Sequence, residues 1–71
     1  MNILKRLWIV TYKKGNKVQK CKFYVYENGN SSRYFVLEND FNQIEVSKNE
    51  GNEIFKRILE LDKNAKINKI I

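Results

Sequence analysis

Between Lys20 and Tyr26 the chain alternates strictly. Lys20, Lys22, Tyr24 and Tyr26 fall on one parity, and Cys21, Phe23 and Val25 on the other. A period of two is the mark of a half-buried strand. Comparable runs rich in β-branched and aromatic residues flank it, separated by turn signals at Gly15-Asn16, in ENGNSS (27–32) and at Asn39-Asp40. The pattern predicts a four-stranded antiparallel meander with strands over 4–14, 17–27, 33–38 and 41–47. After SKNEGNE the period changes to that of an amphipathic helix. Ile54, Phe55, Ile58, Leu59 and Leu61 form one stripe, and Lys56, Arg57, Glu60 and Asp62 the other. Ser47 or Asn49 caps this helix, and a Ser47 cap places Glu50 at the capping-box position. Asn64 is the expected left-handed stop. The stripe loses phase there, so the last residues read as a short closing strand or a frayed tail. The expectation is one α+β domain over 1–71, with a meander over 1–48, a helix over 49–63 packed on one sheet face, and a short strand or tail over 64–71.

Pairing the strands decides which side chains share a face. A two-residue turn at Gly15-Asn16 pairs Lys14 with Lys17, setting Trp8 opposite Phe23 and Val10 opposite Cys21. Past ENGNSS a one-residue change in loop length flips every later side chain. An odd-length loop is the expectation, because it gathers Phe35 and Leu37 beside Phe23 and Cys21. Asn39-Asp40 then brings Ile44 beside Phe35, with Val46 on the same side. The expected core face is Trp8, Val10, Cys21, Phe23, Val25, Phe35, Leu37, Ile44 and Val46. The opposite face holds Leu7, Ile9, Lys20, Lys22, Tyr24, Tyr26, Tyr34, Val36, Gln43 and Glu45. That face is too apolar to be merely the wet side of an antiparallel sheet. The Ile67/Ile70/Ile71 tail, a second subunit or a partner is expected to cover it.

Composition narrows the chemistry. Cys21 is the single cysteine and there is no histidine, which excludes a disulfide framework and a structural zinc site. The serines have no base at a recognisable spacing, the acids are scattered near turns, and the three glycines form no phosphate loop. A non-catalytic protein without cofactor or metal is therefore expected. No run suits a signal peptide or a membrane span, and the lone thiol fits a reducing compartment, so the cytoplasm is expected. Lys, Asn, Ile, Phe, Tyr and Met dominate over Gly, Ala, Arg and Pro. That bias reflects AT-rich codons and points to a low-GC bacterium, one of its phages or a mobile element.

The net charge of +6 is unevenly spread, with seven cations and no acid in residues 1–26. Such asymmetry attracts polyanions or acidic protein surfaces, although a solvated, solubilising hairpin accounts for it equally well. Lys20, Lys22, Tyr24, Tyr26 and Tyr34 form the expected working surface, with Lys5, Lys13 and Lys14 supplying the field around it. Tyrosines that stack on bases beside lysines that meet phosphates favour nucleic acid or a nucleoprotein surface. The alternative is a protein–protein module that binds and inhibits a host or defence protein. A homodimer through the same patch or an open edge strand is the third expectation.

Overall fold

The computed structural model of the protein describes residues 2–40 and 42–71. It has a five-stranded antiparallel sheet with one helix on it, in the order β1 (Ile3–Lys14), β2 (Lys17–Asn28), β3 (Ser31–Glu38), β4 (Ile44–Val46), α1 (Lys48–Leu61) and β5 (Lys66–Lys69). The sheet order is β4-β3-β2-β1-β5. The meander, the helix and the closing strand are thus as expected. Residue 41, where the fourth strand was expected to begin, lies outside the described residues. No helix among the described residues is long and apolar enough to cross a membrane.

The first hairpin has the expected register, with Lys14 paired to Lys17, Trp8 to Phe23 and Val10 to Cys21. A bulge between Leu4 and Arg6 shifts the far end of β1. The second hairpin does not follow expectation. Asn28 pairs with Ser31, so Gly29-Asn30 is a two-residue turn and the loop is even. Gly29 and Gly15 both sit at φ +63°, the positive φ that a type II′ turn needs at its first central position. The even loop sets Val36 beside Phe23 and Phe35 beside Tyr24. Phe35 and Leu37 therefore leave the expected core face, while Val36 and Tyr34 join the helix side. A second one-residue change follows at the Asn39-Asp40 turn, both of whose residues have positive φ. It pairs Ile44 with Val36 rather than Phe35. The two shifts cancel in facing, and Val46 still packs against the core, but Ile44, expected there too, is 65% exposed on the short edge strand.

The core comprises Val10, Tyr12, Cys21, Phe23, Val36 and Ile58, with Trp8, Val46, Ile54, Phe55 and Ala65 packed around it. Tyr12, absent from the expected core, is buried, and its hydroxyl donates to Gln19 Oε1 across the hairpin at 3.1 Å. Phe55 meets Phe23 at 5.9 Å between ring centroids, tilted by 42°. The helix buries Ile58 at its centre, whereas Leu61 is 57% exposed and stands off the apolar stripe.

Both helix ends are tied by side chains. Ser47 is the N-cap: its Oγ accepts from the Glu50 N–H at 3.1 Å, and Glu50 Oε1 accepts from the Ser47 N–H at 2.9 Å. At the other end Asp62 is the cap, in an extended conformation, and Asn64 is not left-handed. The Asp62 carboxylate accepts from the backbone N–H of Lys13 and of Asn64, each at 2.9 Å, fastening the helix end to β1. These hydrogen bonds hold the Glu50 and Asp62 carboxyls below their usual range. Both groups favour the fold above the unfolded carboxylate range, and that contribution disappears as pH falls through the lowered values. Ser47→Ala is expected to cost about 1 kcal/mol, read as a lower urea midpoint at pH 7. An unshifted midpoint would refute the capping role.

β5 pairs with β1 from Thr11–Lys66 to Trp8–Lys69, and the Ile70 N–H continues to the Leu7 carbonyl at 2.8 Å. The tail is therefore an edge strand and does not lie across the sheet.

Candidate binding face

The sheet has two unlike sides because α1 covers only one. On the other, Lys20, Lys22, Tyr24 and Tyr26 stand on a single parity of β2, as expected. Their neighbours on β1 are Thr11, Ile9 and Leu7, with Leu4 beyond the bulge. Their neighbours on β3 are Leu37, Phe35 and Arg33. Leu7, Ile9, Tyr24, Tyr26, Phe35 and Leu37 are all half-buried: strand neighbours shield their flanks, and no described element crosses above them. This row is more apolar than the expected face, because Phe35 and Leu37 replace Tyr34 and Val36.

Tyr34 is the one expected site residue that the structure removes. It pairs with Val25 and Val46 on the helix side, since the even turn at Gly29-Asn30 reverses β3. There it lines an open groove of about 620 Å³ with Arg6, Trp8, Val25 and Phe55, where the long hairpin runs on past the helix N-terminus. Lys5 lies at the β1 bulge and is exposed. Lys13 and Lys14 stand at the tip of the first hairpin, beyond the aromatic row. The expected site thus divides into a face holding Lys20, Lys22, Tyr24 and Tyr26, and outlying lysines that do not join it.

The aromatic rings on the face are mutually ordered. Tyr24 and Tyr26 lie nearly parallel, with centroids 6.3 Å apart and 13° between planes. Phe35 meets Tyr26 edge-on at 5.4 Å and 90°, and the Arg33 guanidinium sits 5.4 Å from the Phe35 centroid. Arg33 also donates twice to Glu45, from Nε to Oε2 at 2.8 Å and from Nη2 to Oε1 at 2.7 Å. That fork holds the Glu45 carboxyl below its usual range. Lys22 approaches Asp40 at 3.9 Å. Two cations of the face therefore already have carboxylate partners, while Lys20 is exposed and enters no ion pair among the described residues.

Sequence reasoning missed Arg33, Phe35 and Leu37 on this face. The signal that could have placed them is the repeated Gly-Asn dipeptide, which makes the same two-residue turn in both hairpins. Among the described residues no group of three potential ligands could hold a metal ion. Comparison with known protein families, curated proteins and solved structures finds no match to this chain.

Proposed function

We propose that this protein is a non-catalytic binding module whose open sheet face docks a partner protein with an apolar centre and an acidic border. One observation carries the reading: an apolar and aromatic row runs unbroken from Leu7 and Ile9 through Tyr24 and Tyr26 to Phe35 and Leu37, with no part of the described chain above it. Aromatic residues are enriched at protein interfaces, where a handful of side chains, tyrosine among the commonest, carry most of the binding energy. Lys20, and Lys66 opposite Thr11, stand at one end of the row and favour an acidic rim opposite. A second copy of the chain is disfavoured, because each copy carries +6. A host or defence protein fits the composition-based reading of the chain's origin.

A second reading rests on the stacked Tyr24 and Tyr26 rings beside Lys20, which suit unpaired bases. One experiment separates the two. Immobilised protein is challenged with lysate, with and without nuclease, and in parallel with short single-stranded oligonucleotides. The protein-docking reading expects a stoichiometric, nuclease-resistant partner that is retained by Lys56→Ala and lost by Tyr24→Ala/Phe35→Ala, both variants keeping wild-type circular dichroism. Oligonucleotide binding that the same double variant abolishes, with no such partner, would overturn it in favour of the second reading. A dimer by light scattering that dissociates on the same double substitution would overturn both.

A further inference from the structure

The first hairpin outruns the rest of the sheet. β3 ends at Glu38, opposite Cys21, and β5 reaches only to Thr11, so residues 12–19 extend as a two-stranded ribbon past both neighbours. The ribbon is held firmly at its base by the Tyr12–Gln19 side-chain hydrogen bond and by Asp62 on the Lys13 N–H. Lys13, Lys14 and Lys17 occupy its end, with Lys20 and Lys66 at its root and Lys63 in the adjoining α1–β5 connection. All six are exposed, and none enters an ion pair among the described residues. Of the acids nearby, Asp62 accepts from two backbone N–H groups and Asp40 meets Lys22, while Glu38 lies at the ribbon's root on the helix side, beside Cys21 and Tyr12.

We propose that this hairpin tip docks double-stranded nucleic acid, with the ribbon in the major groove and its lysines on the phosphates of both walls. The groove, about 12 Å wide, admits a two-stranded ribbon. Alternation puts Lys13 and Lys20 on one side of the ribbon and Lys14 and Lys17 on the other. Cations on both sides match a slot walled by phosphate on both sides, whereas a flat anionic surface would engage only one. An anionic membrane also fits poorly, because Val18 is the single aliphatic side chain at the tip. Lys20 and Lys66 border both surfaces, but Lys13, Lys14 and Lys17 lie beyond the aromatic row, so variants at those three test this proposal apart from the protein-docking one.

The test is fluorescence anisotropy of the full chain with a labelled duplex of about twenty base pairs, at salt from 50 to 200 mM. Four to six phosphate contacts give a slope of log affinity against log salt of about −4 to −5, a loss of two to three orders of magnitude across that range. Lys13→Ala/Lys14→Ala/Lys17→Ala, all at exposed sites, is expected to weaken binding at least tenfold and to flatten the slope by about three. Tyr24→Ala/Phe35→Ala is expected to leave duplex affinity and slope unchanged. Absence of duplex binding at 50 mM salt, or a triple variant with the wild-type slope, would overturn the proposal. Tighter binding to phosphatidylserine vesicles than to duplex, compared at equal anionic charge, would overturn it equally.

Discussion

An Ile58→Ala variant is expected to lose about half of the protein's stability and to unfold at a markedly lower urea concentration. Ile58 is 4% exposed and is the one buried residue of the helix. It joins α1 to Val10, Tyr12, Cys21, Phe23 and Val36 in one core cluster. Truncating a buried isoleucine to alanine costs about 2–5 kcal/mol, from lost transfer energy and the cavity left behind. Domains hold about 0.05–0.15 kcal/mol per residue, so a chain of this length has only about 4–10 kcal/mol in total. Ile54 and Phe55 are partly exposed and cannot hold the helix alone. Urea titration followed by circular dichroism checks this, with Leu61→Ala as the control. Leu61 is 57% exposed, and its truncation is expected to change stability by no more than about 0.5 kcal/mol. Equal midpoints for Ile58→Ala and wild type would show that the helix is not held by this contact.

The second large effect concerns Cys21, which is fully buried in the central strand. Burial, followed by the charge of neighbouring Glu38, pushes its thiol up to about 12, from an ordinary value of 9.0. At pH 8 that alone leaves about a thousandfold less thiolate than in the unfolded chain, and occlusion slows attack further. A thiol-exchange reagent such as DTNB is expected to react with the native protein at least a thousand times more slowly than in concentrated urea. Fast native reaction would mean that the centre of β2 is open. The raised value also fixes the alkaline behaviour of the fold. The protonated thiol's contribution is complete below pH 9 and is lost as pH rises toward 12. Tyr12 moves in the same direction, chiefly through burial and then through Glu38 and Cys21. Cys21→Ser is expected to leave alkaline unfolding less steep.

How far the fold was legible turns on one loop. The alternation in β2 and the Gly15-Asn16 turn sufficed to pair β1 with β2 residue by residue: any two-residue turn keeps Trp8, Val10, Cys21 and Phe23 on one face, and the glycine signal selects the placement. ENGNSS offers two placements, and the odd-length one follows from the criterion that most apolar residues collect on one side. That criterion assumes the other side is wet. Here both sides are apolar, so maximising one face misplaced Phe35, Leu37, Tyr34 and Val36 together. The lysines and tyrosines of β2 were placed correctly because their own parity needed no loop. The ion pairs of Lys22 and Arg33 were not legible, since Arg33–Glu45 depends on the β3–β4 register and Lys22–Asp40 on a turn geometry beyond simple alternation. The projecting tip, by contrast, was already implied by the expected spans, because a third strand over 33–38 is shorter than the pair over 4–14 and 17–27 and stops near Cys21.

The closing strand imposes an order in time. The β1–β2 and β2–β3 pairs join neighbours through two-residue turns, and such hairpins form within microseconds. Trp8, by contrast, meets Lys69 almost a whole chain length away. That contact must await a large loop closure, whose entropic cost precedes any reward. During synthesis the meander therefore emerges before its cover, with its core side bare until α1 follows and with one edge of β1 unpaired until β5 follows α1. For that interval both sides of the nascent sheet are sticky, and a strand made after the helix is the one that seals β1.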